Sequence, residues 1–169
     1  MQRSTARARV SGRNEPQAVS QAPQVVGRGF CFEDLRVGYR FRTHRRSIAE
    51  SDVAAFVNLT WLTEELFTVE DDAARAIKGR AVPGALVYSF AEGLLLPTMQ
   101  DTGLAFLGAS LEVKAPTVVG DTIHVESEVT EHRLTSKGDR GLVRFLNKVI
   151  NQRNEVVLEY NPLRLLKRK

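Results

Sequence analysis

Cysteine is nearly absent from this 169-residue sequence, which contains only Cys31. A single cysteine cannot form a disulfide within the chain, so the sequence argues against a disulfide-stabilised secreted protein and favours a cytoplasmic location. Long hydrophobic runs are also missing. The most apolar segment, residues 85–96, is far shorter than the roughly 20 residues of a membrane span. We therefore expect no transmembrane helix and no membrane partner.

The positive charge is concentrated at the N-terminus. Residues 1–28 contain five arginines and one acid, so they carry the whole formal net charge of +4. This segment has too few apolar residues to form a core, which predicts a flexible basic extension at 1–28 and one domain at 29–169. A transit peptide is the alternative. Because the remainder has no net charge, we expect no nucleic-acid partner.

Hydrophobic periodicity predicts an antiparallel sheet. Apolar and polar residues alternate in five segments, which predicts strands at residues 39–47, 110–115, 123–129, 142–150 and 155–165. Residues 51–60 carry one apolar stripe at helical spacing. Ser47 and Glu50 ahead of them have the spacing of a capping box. A further short helix is predicted at residues 69–78.

One more helix is predicted to be buried. Residues 85–96 follow Pro83 and Gly84 and are apolar on nearly every face, which is typical of a helix inside a core. A single antiparallel sheet together with one such helix indicates an α+β domain in which the sheet wraps around the helix. This is the hotdog arrangement.

Four segments resemble the MaoC-like (R)-specific enoyl-thioester hydratases. They are residues 47–56 (SIAESDVAAF), 82–86 (VPGAL), 109–116 (ASLEVKAP) and 119–122 (VGDT). The resemblance extends over residues 29–165. It implies a hotdog homodimer that holds an acyl thioester of coenzyme A or of a carrier protein in a tunnel at the subunit interface.

The resemblance also implies an oxyanion-binding helix N-terminus. Gly84 matches the glycine whose amide contacts the thioester carbonyl, and Ala85 follows it in the first turn. First-turn amides have no partners within the helix and lie at the positive end of its dipole, so they can stabilise an enolate oxygen. The alternative is that Pro83 and Gly84 merely start a helix.

The acid/base pair of the family is missing. In the resembling enzymes an Asp and a His in the loop after the first helix activate the water that adds to the double bond. A gapless alignment from Phe56 puts Leu62 at the Asp position and Phe67 at the His position. Neither side chain can transfer a proton, so the sequence predicts a binding scaffold without the usual catalytic groups.

Three carboxylates could replace the missing groups. Glu64 and Glu65 lie in the same loop, where a charged pair is more often solvated. Glu92 lies eight residues beyond Gly84 on the predicted buried helix. A buried carboxylate tends to have a raised pKa, which suits proton transfer, unless it pairs with an arginine or reaches the helix edge.

The remaining candidates concern charged ligands and metals. Lys78 and Arg80, just before the buried helix, could contact the phosphates of coenzyme A or of a phosphopantetheine arm. The three histidines lack the spacing of metal ligands, so we expect neither a metal nor another cofactor.

Three functions remain open from the sequence. The first is a MaoC-like acyl-thioester hydratase or dehydratase relative that has lost some or all catalysis. The second is a non-catalytic thioester-binding protein, or the silent subunit of a heteromer whose other MaoC-like chain supplies the Asp and His. The third is a hotdog thioesterase that uses a carboxylate, for which Glu64 or Glu92 could serve.

Overall fold

The structure, a computed structural model, describes residues 26–69 and 77–169. Most of the N-terminal extension predicted at residues 1–28, and most of the short helix predicted at residues 69–78, lie outside these residues. Within the described ranges, no helix has both the length and the apolar character needed to cross a bilayer.

The described residues form three α-helices and eight β-strands. The helices are α1 (Glu50–Thr60), α2 (Glu65–Thr68) and α3 (Gly84–Leu95), and 3-10 turns span Phe32–Asp34 and Leu96–Thr98. The strands are β1 (Arg40–Arg42), β2 (Arg46–Ser47), β3 (Gly103–Gly108), β4 (Leu111–Val113), β5 (Thr122–Leu134), β6 (Arg140–Ile150), β7 (Val156–Tyr160) and β8 (Leu163–Lys167).

The eight strands are joined by seven antiparallel pairings into one sheet. β5 and β6 form the long central pair, β1 and β2 both pair with β5, and β7 and β8 both pair with β6. β4 then pairs with β7, and β3 pairs with β8. The predicted antiparallel sheet is therefore confirmed, although β3 was missed.

Two of the predicted strands are interrupted. The strand predicted at residues 39–47 is divided into β1 and β2, and the strand predicted at 155–165 is divided into β7 and β8 at Asn161 and Pro162. Proline has no N–H to donate to a ladder, so a strand tends to break there.

Helix α3 packs its apolar face against the sheet, as predicted. Its buried residues are Leu86, Val87, Ala91 and Leu95. They contribute to a core that also contains Ile123, Val125, Val149, Val157 and Leu158. Each aliphatic side chain buried in this way contributes about 1.5–3 kcal/mol. One face of the helix is nevertheless exposed, at Ala85, Ser89 and Gly93.

The capping box predicted at Ser47 is wrong. Helix α1 starts at Glu50, and its N-cap residue is Ala49, whose amide donates to the Asp52 carboxylate at 2.9 Å. Ser47 instead ends β2, where its hydroxyl shares a 2.6 Å hydrogen bond with that of Thr122. Pairing of β2 with β5 thus places Ser47 outside the helix.

Candidate functional site

An apolar cavity lies at the start of α3. Its volume is about 190 Å³. Gly84 and Thr117 line it together with eleven apolar residues: Leu66, Phe67, Ile77, Ala81, Val82, Val87, Val113, Ala115, Pro116, Val157 and Leu158. Among these described residues none carries an ionisable side chain, so the cavity suits a hydrocarbon chain.

Gly84 brings free amide groups to this cavity. The amides of Leu86 and Val87 donate to the Pro83 carbonyl at 2.9 and 3.2 Å. Within the described part of the chain, the amides of Gly84 and Ala85 have no hydrogen-bond acceptor. The first turn of α3 can therefore donate to a carbonyl oxygen beside the cavity.

Glycine at position 84 permits a close approach between α3 and β4. A Cβ atom added there would lie 3.1 Å from Val113 Cγ2. Because Val113 also lines the cavity, a larger residue at 84 would displace the cavity wall. The absence of a side chain at Gly84 thus allows α3 to pack closely against β4 and leaves the Gly84 amide accessible from the cavity.

The loop after α1 contributes an aromatic ring to the cavity. Phe67, which the gapless alignment from Phe56 puts at the family's His position, lines the cavity. Leu62, which the same alignment puts at the Asp position, is half-buried and is not part of the lining. The Phe67 side chain at the cavity is a hydrocarbon ring, which cannot transfer a proton.

Arg80 fixes this loop to the rest of the domain. Its Nε donates to the Phe67 carbonyl at 2.9 Å, and its guanidinium forms an ion pair with Glu50. The Arg80 side chain is only 15% exposed. Lys78 is exposed. The two residues predicted to bind phosphate are therefore not equivalent, since one is engaged inside the protein.

Glu64 and Glu65 help to form α2. Their backbone carbonyls accept the amides of Phe67 and Val69 at 2.9 and 3.0 Å. Both residues are exposed, and neither lines the cavity. The structure thus does not bring these two candidate carboxylates together with Gly84 in one pocket.

Glu92 belongs to a separate polar cluster beneath α3. One carboxylate oxygen accepts a 2.8 Å hydrogen bond from the Tyr160 hydroxyl, and the other pairs with the Arg164 guanidinium. The side chain of Arg164 is 10% exposed and that of Glu92 is 24% exposed. Of the alternatives for Glu92, the structure shows the pairing with an arginine.

Burial governs the chemistry of this cluster. Desolvation, reinforced by the negative charge of Glu92, raises the pKa of Tyr160. The same two causes raise the pKa of Tyr88, whose ring meets that of Tyr160 edge-on at 5.0 Å. Both phenols therefore stay protonated at neutral pH, and Tyr160 acts as a hydrogen-bond donor.

Glu92 is also remote from the start of α3. Eight residues of helix correspond to about 12 Å along the axis, and Glu92 is not among the residues that line the apolar cavity. A proton-transfer role for Glu92 stays a prediction. The geometry shows a carboxylate that joins α3 to β7 and β8.

The family described as the FAS1-like, dehydratase domain region matches residues 36–160. The chain belongs to this family. It is 34% identical over 105 residues to the (R)-specific enoyl-CoA hydratase of Aeromonas caviae, with 60% of this chain and 75% of that enzyme covered. The MaoC-like dehydratase structure from Rhodospirillum rubrum has 28% identity and a TM-score of 0.73, with 83% and 99% of the two chains covered. The resemblance to MaoC-like proteins is confirmed.

The hotdog prediction is confirmed as well. A conserved hypothetical protein from Mycobacterium tuberculosis with a double hotdog fold has a TM-score of 0.71 and 22% identity. The match covers 86% of this chain and 46% of that one. At this identity the likeness shows the fold alone, and it agrees with a sheet wrapped on one helix.

Sequence reasoning missed the partners of Glu92 in this MaoC-like chain. Tyr160 and Arg164 lie on β7 and β8, where alternate residues from Leu158 to Leu166 are buried. An arginine two residues from a buried leucine on a strand faces inward. That spacing was a usable signal for Arg164, because a buried guanidinium needs an acidic partner.

Proposed function

We propose that this MaoC-like relative of the hydratases and dehydratases binds an acyl thioester at the apolar cavity. The acyl chain would occupy the cavity, and the thioester carbonyl would accept a hydrogen bond from the Gly84 amide. One observation carries this proposal. Among the described residues, the cavity is lined by side chains that suit a hydrocarbon, and it lies beside the Gly84 and Ala85 amides, which have no acceptor. The named relatives that act on CoA thioesters support it.

We further propose that the isolated chain hydrates enoyl thioesters poorly. Addition of water requires one group to remove a proton and another to deliver one. No ionisable side chain of the described residues lines the cavity, and Phe67 occupies the position of the family's His. Retained binding with weak turnover therefore follows from the same lining.

An edge of the sheet supports assembly with a second chain. Within the described residues, β3 pairs only with β8, and β4 pairs only with β7. The outer sides of β3 and β4 therefore form a sheet edge without a partner strand among these residues. Its exposed large apolar residues are Leu104, Phe106, Leu107, Leu111 and Val113. Unpaired edges and contiguous exposed apolar side chains favour protein association.

This edge adjoins the cavity, because Val113 both lines the cavity and is 56% exposed. We therefore propose a dimer in which the second chain covers the cavity from the β4 side. The second chain is another copy or a catalytic MaoC-like protein that supplies the missing acid and base. A thioesterase function has less support, since neither Glu64 nor Glu92 lines the cavity.

The direct test is calorimetric titration of the full chain with butyryl-CoA and, separately, with CoA. Tighter binding of butyryl-CoA would support occupation of the cavity by the acyl group. Equal affinity for the two ligands would contradict the proposal. Light scattering at micromolar concentration tests the dimer, and a monomer would contradict the assembly.

A further inference from the structure

A second cavity, at the end of the sheet, is lined by basic and amide side chains. Its volume is about 340 Å³. The lining residues are Arg42, Arg45, His124, Asn151, Gln152 and Asn154. No acidic side chain is among them, so the side chains that line the cavity carry a net positive charge from the two arginines.

The two arginines of this basic cavity are unpaired. Their neighbours Arg40 and Arg46 form ion pairs with Glu128 at 3.1 Å and with Asp52 at 3.0 Å. Among the described residues, neither Arg42 nor Arg45 has an acidic partner within ion-pair distance. Their guanidinium groups thus retain free N–H donors suited to an oxyanion.

The turn that bounds the basic cavity is held by its own hydrogen bonds. The Gln152 amide donates to Asp121 at 2.7 Å and accepts the Thr122 amide at 2.9 Å. Arg153 pairs with Asp121 at 2.9 Å and with Glu155 at 3.0 Å. Asp121 and Glu155 therefore direct their carboxylates towards Arg153, and neither of them lines the cavity.

Two further donors face the same space. The His124 side chain is 12% exposed, and its Nε2 lies 3.7 Å from Glu126, beyond hydrogen-bond distance. Asn154 has a positive φ of 64°, and its backbone amide donates to the Asn151 carbonyl at 3.0 Å, whereas within the described chain its side-chain amide makes no hydrogen bond. An anion in this cavity could therefore meet guanidinium, imidazole and amide donors together.

The basic cavity and the apolar cavity lie at the same end of the sheet. The turn at residues 151–154 joins β6 to β7, and Val157 and Leu158 of β7 line the apolar cavity. Asp121, which the turn binds, accepts the Val118 amide at 3.0 Å, next to the cavity residue Thr117. The two cavities are therefore linked through β7, its preceding turn and Asp121.

We propose that the basic cavity binds a phosphate group of the thioester carrier, with Arg42 and Arg45 as its principal ligands. This inference rests on the proposed thioester function. A concave cavity with separate donors suits the small phosphate groups of coenzyme A better than the broad surface of a carrier protein. In this proposal Arg42 and Arg45 bind the phosphate in place of Arg80. Arg80 is already paired with Glu50 and donates to the Phe67 carbonyl.

The test compares three ligands by calorimetric titration of the full chain. They are butyryl-CoA, adenosine 3′,5′-bisphosphate, which carries only the nucleotide end, and S-butyryl-pantetheine, which carries no phosphate. The variant is the double substitution Arg42→Gln with Arg45→Gln. Arg133→Gln is the charge control, because Arg133 pairs with Glu131 near the opposite end of β5.

The double variant should bind butyryl-CoA at least about tenfold more weakly, since each lost charge-assisted hydrogen bond is a strong one. It should lose the bisphosphate and bind S-butyryl-pantetheine as before. Unchanged binding of butyryl-CoA, or an equal loss in Arg133→Gln, would overturn the phosphate site. Failure of the unmodified chain to bind the bisphosphate would overturn it as well.

The two proposals fail in different ways. If the unmodified chain binds the bisphosphate but not S-butyryl-pantetheine, the thioester function is wrong while an anion site remains. If it binds the pantetheine thioester and the double variant loses nothing, the function stands and the phosphate site is wrong. Circular dichroism of each variant confirms that the fold is retained.

Discussion

The two ends of α3 differ in where they keep polar groups. Around Gly84, at its first turn, the lining of the cavity is apolar and the available donors are backbone amides. Around Glu92, in its third turn, a carboxylate, a phenol and a guanidinium are joined and largely buried. The chain therefore has ionisable groups next to α3, but they lie away from the cavity and are paired with one another.

This difference separates binding from proton transfer. Backbone amides polarise a carbonyl without changing their own protonation, so they can hold a thioester carbonyl without help from an ionisable side chain. Proton transfer needs a side chain within hydrogen-bond reach of the substrate. At the apolar end of α3, backbone amides that can polarise a carbonyl are present. Among the described residues that line the cavity there, no side chain can transfer a proton.

Breaking the polar end should have the largest effect on stability. Arg164→Met leaves the Glu92 carboxylate without its cationic partner, and breaking such buried pairs costs about 3–5 kcal/mol. We expect about 3 kcal/mol, at the lower end, because Glu92 is 24% exposed. The free energy of unfolding in urea measures this effect.

A matched double variant distinguishes the lost pair from lost packing. Glu92→Met combined with Arg164→Met removes both charges, so it should recover most of the stability lost by Arg164→Met alone. Additive losses in the double variant would show that Glu92 and Arg164 do not stabilise each other.

The apolar end is tested by the substitution Gly84→Pro. Proline removes the N–H, and the first helical residue is a position that tolerates it. Pro83 before it already has the extended ψ of 132° that a residue ahead of proline requires. Loss of one hydrogen bond should weaken butyryl-CoA binding by about tenfold.

Gly84→Ala is the control for this substitution. It keeps the amide but adds a Cβ atom 3.1 Å from Val113 Cγ2, so it should weaken binding less than proline does. Equal losses in both variants would show that cavity shape, and not the amide, determines affinity. Isothermal calorimetry under identical conditions gives the comparison.

Asp121 is a second test of how this domain keeps a charged group inside, because it is a buried carboxylate that stays ionised. Burial raises its pKa, but hydrogen bonds from the Val118 amide, Arg153 and Gln152 outweigh burial and lower it. The resulting stability is complete above the unfolded pKa, about 3.9, and is lost as pH falls through the folded value.

Asp121→Asn should therefore destabilise the domain by about 1 kcal/mol at neutral pH. The difference in stability between the two proteins should shrink as the pH falls below about 4. Other carboxylates with a lowered pKa titrate in both proteins, so the difference isolates Asp121. A difference that is constant with pH would contradict the ionised role of Asp121.

Much of the fold could be predicted because burial follows short periods in the sequence. The alternation at Ile123, Val125 and Val129 identified β5, and the apolar segment at residues 85–96 identified α3 within one residue at each end. β3 was missed because Gly103–Gly108 is almost entirely exposed and apolar on both faces. A strand at an association edge lacks the alternation that reveals a half-buried strand.

The site was harder to predict, because its contacts join distant segments. Glu92 and Arg164 are 72 residues apart in sequence, and they meet only because α3 packs against the sheet. Gly84 was found from a local motif. The basic cavity was not found. Arg42 and Arg45 lie far in sequence from His124 and from the turn at residues 151–154, and only the folded sheet brings them together.

The central claim is that binding is retained while proton transfer is absent. The most direct measurement is crotonyl-CoA hydration by the isolated chain, assayed beside the (R)-specific enoyl-CoA hydratase of Aeromonas caviae, with crotonyl-CoA affinity determined on the same sample. We predict saturable binding and a hydration rate at least about 10²-fold below that of the relative. Loss of a general acid or base should lower the rate by at least about 10²-fold. A hydration rate within about tenfold of the relative's rate would therefore contradict the account.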